Sequence, residues 1–305
     1  MIPNFPKFKK IELTDKKDIE KFTSEFPPYS DFNFTSFWVW DINRERMLSN
    51  LNGNLVVCFT DYLTGELFFS FFGTNKIEQT IRSIIDFAKK TKVSPVLRFI
   101  SEEIAKNLPN SDFCIEEDRD NFDYIFSTSQ LSNFEGAKYK TKRHEVNKFL
   151  ALYSNVVFES ENLTNQILHG HIINLLQKWT VKKELNSGTE NLDFESEKKA
   201  LYRILQMENE NVLIFTCFIN NNLVGFEIDE ILPYKYAIAH FSKVDPLYKG
   251  VNVFLNMKLS QYLKNIGIEF CNWEQDLGIE NLRKSKMSYH PINLLKKYKV
   301  SIVDK

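Results

Sequence analysis

Asn272, Glu274, Gln275 and Asp276 crowd four polar side chains into five residues behind an apolar run, and Arg283, Lys286 and Tyr289 follow shortly after. Deprotonating an ammonium near neutral pH needs a nearby acceptor, so Glu274 and Asp276 are the candidate general bases or amine-orienting groups. Arg283 and Lys286 stand three residues apart on a predicted helix, close enough to hold one anionic group between them. Ion-pair networks imitate catalytic clusters, however. The structural alternative is that the two acids pair with Arg283 and Lys286 as salt bridges and that Tyr289 packs beneath a last strand.

The elements that position these residues follow from ordinary signals. Ile268, Phe270 and Cys271 suit a buried parallel strand; Leu277-Gly278 breaks it; Leu282 and Lys286 share a helical face; Pro291 closes the helix. Ligands in open α/β sheets sit at the carboxyl ends of strands, which is where this turn falls. Upstream, strands are expected at residues 212–219, 223–231 and 236–244, then a helix at 251–264 ended by Gly267. Helices at 164–183 and 194–207 flank a predicted loop at Asn186-Ser187-Gly188, and a last strand is expected at 299–303. The first half reads in almost the same order: strands at 54–60 and 66–73, a helix at 75–91 and a strand at 95–100. Residues 131–150 carry Lys138, Lys140, Lys142, Arg143 and Lys148 against Glu145 and read as one basic helix bridging two halves. The order implies an α/β (α+β) duplication: a domain at 1–130, the basic interdomain helix at 131–153, and a second domain at 154–305.

Composition narrows the classes. With 43% hydrophobic residues and 27 Phe, a chain of 305 residues has material for two cores. A formal net charge of −1 argues against coating nucleic acid or an anionic membrane over the whole surface. Six basic residues and no acid between Asn281 and Lys299 still allow a local positive cleft, to which Lys142 and Arg143 would add. The four cysteines form no C-x-x-C pair, and His169 and His171 fall on opposite helix faces, so neither a disulfide framework nor a metal site is expected. No signal-peptide run follows Lys7, Lys9 and Lys10, and no stretch approaches the ~18 apolar residues of a spanning helix. No transmembrane segment is expected, and a soluble cytoplasmic protein is the default.

The second half's element order, with a loop-to-helix junction after its third central strand, resembles the GNAT acyltransferase fold. There, N–H groups at the helix start bind a pyrophosphate. Tyr248-Lys249-Gly250-Val251-Asn252 stands where that family has Arg/Gln-x-x-Gly-x-Gly/Ala, with a single glycine surviving. A second likeness runs through Asn272-x-Glu274-x-Asp276-Leu277-Gly278, Leu282-Arg283-x-x-Lys286-x-x-Tyr289-x-Pro291, and Lys138-x-x-x-Lys142-Arg143 after Gly136. Over essentially the whole chain it resembles an uncharacterised bacterial family grouped with the C-terminal domain of phosphatidylglycerol lysyltransferase. That resemblance implies two tandem GNAT-like domains, each a mixed twisted sheet flanked by helices, the first degenerate.

It also implies acyl transfer, with Glu274, Asp276 and Tyr289 as the catalytic set and Tyr289 as proton donor to the leaving group. Substrate or donor binding falls to Tyr139, Lys142, Arg143, His240, Lys249, Gly250, Asn252, Asn272, Arg283 and Lys286, His240 as a core or cleft-wall histidine. The expected reaction is direct attack on the donor, helped by positioning and by N–H donors to the oxyanion, without a covalent enzyme intermediate. No permanently bound cofactor is implied. The donor would be acyl-CoA or aminoacyl-tRNA, held by its CoA moiety or tRNA acceptor end, with the eroded glycine loop and abundant basic residues favouring aminoacyl-tRNA. The acceptor would be an amine or hydroxyl on a small molecule, lipid head group or peptide. The competing class is a non-catalytic ligand-binding or regulatory module on a GNAT scaffold.

Overall fold

The computed structural model describes residues 1–61, 64–186 and 194–303; Ser187-Gly188 of the expected loop lies outside the described residues. The chain forms two compact units: residues 1–123 with 275–283 and 294–305, and residues 124–274 with 284–293.

In the first unit an antiparallel ladder runs in the order Lys9–Lys10, Met47–Leu51, Asn54–Thr60, Leu67–Phe72. Ile81, Ile84, Ile85 and Ala88 recur at helical spacing on Ile77–Thr91 and are buried against Val56, Phe69 and Phe71. The predicted strand at 299–303 forms as Lys297–Ile302, but it joins this unit, antiparallel between Leu97–Ser101 and Phe113–Glu117. Such pairing is long-range and leaves no local signal.

Lys297, on that strand, is fully buried and ion-paired to Asp31 and to Asp123, the latter at 2.8 Å. Ser30 holds Asp123 through its backbone N–H at 2.8 Å and its hydroxyl at 2.7 Å, while Gln275 donates to Asp31 at 3.1 Å. A neighbouring knot closes the turn after Gln275. Asp276 is fully buried and accepts two bonds from Arg283, at 2.9 and 2.8 Å, and one from Arg119 at 3.2 Å. Arg283 also reaches Asp120 at 2.6 Å, and the two carboxylates hold its guanidinium even more firmly protonated than usual. Gly278 completes the turn: its φ is +76°, and a Cβ there would lie 3.0 Å from an Asp120 oxygen.

In the second unit the strands lie in the order Asp123–Ser127, Phe270–Asn272, Tyr236–Val244, Asn222–Leu232, Val212–Ile219, Val157–Asn162. Three antiparallel strands form a meander, and Phe270–Asn272 then joins parallel to Tyr236–Val244, the GNAT-like arrangement expected for the second half. Helix Val251–Asn265 covers one face, with Gly225 set against Val251 and Leu255. The single basic helix expected at 131–150 is instead three pieces: Thr128–Asn133, a tight turn at Ala137–Tyr139, and Lys140–Leu152. Phe134 and Gly136, both at positive φ, break it.

Lys297→Ala would leave two buried carboxylates without their cation, a loss of about 3–5 kcal/mol. Its denaturation midpoint is expected to fall accordingly, and an unchanged midpoint would contradict the assignment.

Candidate active site

The second unit's polar residues gather where its strands part. The parallel ladder between Tyr236–Val244 and Phe270–Asn272 holds for three pairs and stops at Ile238 and Asn272. Just beyond, Ile228 pairs with Phe241 and Asp229 with Ala239, so His240 is the extra residue of a β-bulge. The bulge presents a buried imidazole to two carboxylates: Nδ1 lies 3.3 Å from Glu274 and Nε2 3.4 Å from Glu230. Burial alone would depress its pKa, but the two acids outweigh that and hold it up at about 9. His240 is therefore an imidazolium at neutral pH. Asn209 fixes Glu230 from the far side at 3.0 Å.

Glu274 is the member of this set that reaches solvent, its side chain 19% exposed. Its backbone is left-handed, φ +55°, a costly conformation for a non-glycine residue. Asn272, fully buried, accepts the Glu274 N–H at 2.7 Å, and Lys286 donates to the carbonyls of Trp273 and Glu274, at 2.5 and 3.2 Å. Asn272 and Lys286 thus hold the turn.

Tyr289 forms a second centre. Its hydroxyl accepts from Asn252 at 3.3 Å and Asn256 at 3.1 Å, its backbone carbonyl accepts from the Tyr139 hydroxyl at 3.0 Å, and Trp273 packs edge-on 5.0 Å away. Burial pushes the phenol well above its ordinary range. The Lys142 ammonium lies 3.8 Å from the Tyr289 ring centroid, and burial lowers its pKa. Tyr139 is itself buried and raised for the same reason.

Other expected residues take structural places. Arg143 donates to the carbonyls of Phe134 and, at 2.7 Å, of Gly136, which stitches the broken segment together. Gly250 starts helix Val251–Asn265 at φ +95°, where a Cβ would meet Phe149 at 3.0 Å and the Glu145 carbonyl at 3.2 Å. The helix start is thus packed against Lys140–Leu152; Lys249, beside it, is exposed. Asp276 and Arg283 belong to the first unit, and there they satisfy each other. The expected Arg283–Lys286 anion clamp is replaced by two separate roles: Arg283 neutralises Asp276, and Lys286 binds backbone carbonyls. Asp276, with both oxygens occupied by guanidinium groups, is a turn anchor rather than a base.

Sequence reasoning missed the buried acids Glu227, Asp229 and Glu230. Three acids in four positions of an otherwise apolar strand were the available signal. Burial raises Glu227 to about 7, with the Ser242 hydroxyl bond opposing it, and burial together with Glu227 raises Asp229 well above the carboxylate range. Burial also pushes Cys271 far above a thiol's ordinary value, so it is no nucleophile. No cluster of metal-ligating side chains occurs among the described residues.

The model of the family described as phosphatidylglycerol lysyltransferase, C-terminal, matches residues 24–301. The chain belongs to this family. A Bacteroides thetaiotaomicron protein of unknown function shares the fold at TM-score 0.84 and 24% identity, over 99% of this chain and 100% of that one. The C-terminal domain of a lysylphosphatidylglycerol synthetase from Agrobacterium fabrum follows at TM-score 0.64 and 12% identity, over 94% and 92%. L-PGS from Bacillus licheniformis matches at 0.63 and 14%, over 96% and 92%. No curated protein matches. At these identities the neighbours establish the fold, and family membership supports an acyltransferase-like function. No helix among the described residues is long and apolar enough to cross a membrane.

The buried imidazolium carries a pH signature. An unfolded histidine titrates near ~6.5, and His240 in the folded chain near about 9. Because the folded value is the higher, the stabilisation is whole below ~6.5 and fades as pH rises towards about 9. The melting-temperature advantage over His240→Gln should therefore shrink across that window, and a widening gap would refute the charged state.

Proposed function

We propose that the protein is a cytoplasmic acyltransferase that moves an aminoacyl group from aminoacyl-tRNA to an amine or hydroxyl acceptor. The observation that carries this reading is the parted strand pair, which sets Glu274 as a strained, partly exposed carboxylate at a strand's carboxyl end. Strain of this kind collects at functional sites, and a carboxylate there can receive the proton of an attacking amine. Family membership supports the reaction class. The loop before helix Val251–Asn265 supports tRNA over acyl-CoA as donor, because it keeps a single glycine, Gly250, and that glycine is packed against Phe149 and the Glu145 carbonyl. Exposed Lys140 and Lys148, with half-buried Lys142, offer cations to an acceptor-end backbone.

A second reading, a non-catalytic module, is favoured by Tyr289, whose hydroxyl is buried and engaged by two amides rather than offered to a leaving group.

Mixing the protein with charged tRNA and a panel of amines, lipid head groups and peptides should transfer the label. Glu274→Gln is expected to lower turnover by about 10²-fold or more. The tRNA affinity should fall on the order of ten-fold or more between about 50 and about 200 mM salt. Salt-insensitive or absent binding sinks tRNA as donor; binding without transfer, unchanged in Glu274→Gln, favours the non-catalytic module.

A further inference from the structure

Val157–Asn162 ends the second unit's sheet. It pairs antiparallel with Val212–Ile219 on one side, and among the described residues no backbone–backbone bond of residues 157–161 reaches any other segment. Val157 is 48% exposed and Glu159 is exposed as well, so the outer edge is open to solvent. Such an edge is a row of amide donors and carbonyl acceptors with which an extended chain can pair.

Beside the edge runs a groove of about 420 Å³, within the range of ligand sites. Val156 and Phe158 line it from the strand side, and because side chains alternate along a strand, Val157, Glu159 and Glu161 fall on the other face. Phe254 and Met257 on helix Val251–Asn265 form the facing wall, which Leu150, 38% exposed, extends. Lys258 is the charged residue of the lining. It is half-buried, its ammonium lies 5.9 Å from the Phe158 ring centroid, and among the described residues no carboxylate pairs with it. Lys243 makes the contrast: it too lies over a ring, that of Trp179, but Glu197 meets it at 2.6 Å. A lysine held against an aromatic face alone keeps its donors available to an anion. The groove is three strands from Tyr236–Val244, on the order of 14 Å at ~4.8 Å per strand, and is therefore separate from the Glu274 site.

Edge, groove and cation together specify the occupant. The edge asks for an extended backbone, the groove for apolar side chains on alternate residues, and Lys258 for a carboxylate among them. A second copy of this chain fits poorly. A two-fold antiparallel pairing that continues the sheet sets acid opposite acid, from Glu159 and Glu161, in its central registers, and like charges directly opposite are destabilising. We propose that Val157–Asn162 and helix Val251–Asn265 form a peptide-docking site. It takes an extended segment of a partner protein as an added strand, with apolar side chains in the groove and an acidic one on Lys258.

The test uses the full chain and a fluorescein-labelled octapeptide of alternating valine and threonine in which one valine is replaced by glutamate. One companion peptide carries lysine in that place, and two others carry methyl groups on one or the other alternate set of backbone amides. The glutamate peptide is expected to bind saturably, about ten-fold more tightly than the lysine peptide, and to slow amide hydrogen exchange across residues 157–162. The two methylated peptides should differ, since an added strand pairs through one set of amides only. Lys258→Glu should reverse the preference between the glutamate and lysine peptides, and its melting temperature should hold because Lys258 has no ion pair to lose. Leu150→Asp, at the exposed rim, should weaken the glutamate peptide about ten-fold as a second variant. No saturable binding, equal binding of the two methylated peptides, or a preference that Lys258→Glu leaves in place overturns the docking site. Light scattering that shows a dimer, with residues 157–162 protected before any peptide is added, assigns the edge to a second copy and overturns it as well.

Discussion

One inserted residue governs the second unit. His240 is the bulge between Asn222–Leu232 and Tyr236–Val244, and next to it the parallel partner strand leaves. A bulge kinks and twists its strand, so the ladder that pairs three residues with Phe270–Asn272 is not continued. The same insertion places an imidazole where only a charged ring satisfies its neighbours. Desolvation opposes that charge and two carboxylates restore it, a balance that holds only while both stay within about 3.4 Å. Everything around Glu274 serves this distance: Asn272 fixes its amide, Lys286 fixes two carbonyls, and Asn209 fixes Glu230.

The chain buries charge in two ways. In the first unit, Lys297 sits against Asp31 and Asp123, and Asp276 against Arg283 and Arg119; each acid there has its cation in contact. Such sets lock a turn or strand in place and are costly to break from one side. In the second unit, Glu227 and Asp229 bond to a hydroxyl and a thiol; the His240 charge pulls Asp229 down, but burial outweighs it and pushes both acids up. Acids fully matched by cations build structure, whereas buried acids whose protonation is shifted are the groups suited to acid–base chemistry.

What the sequence made legible follows the same division. Val212–Ile219, Tyr236–Val244 and Asn54–Thr60 form as expected because each is an apolar run bounded by turn residues. The parallel strand at 270–272 and the helix after it were also readable, and with them Glu274 as an acid at a strand exit. The acids at 227–230 were not, since strand periodicity counts apolar residues and passes over polar ones it interrupts. Nor was the fate of the basic run at 281–299. Its net charge suggested an anion cradle, whereas Arg283, Lys286 and Lys297 are each consumed by a partner that only tertiary packing supplies. Residues 131–150 looked continuous because the break is a backbone event: Phe134 turns left-handed at φ +50° without any proline to announce it.

The start of helix Val251–Asn265 shows how a shared fold can be put to different use. A helix N-terminus offers N–H groups and a favourable field to an anion, and a glycine before it lets a phosphate approach. Here the one glycine is used instead to bring Phe149 and the Glu145 carbonyl into van der Waals range. The side chains of the first turns, Asn252 and Asn256, are committed to the hydroxyl of Tyr289. The side chains at the helix start are therefore organised around a buried phenol, and Lys142 lies over that phenol's ring, where burial lowers its pKa against the opposing charge of Glu145. A half-buried ammonium against an aromatic face keeps its hydrogen-bond donors available. An anionic ligand at this end would consequently meet the Lys142 side chain as well as the field of the helix start.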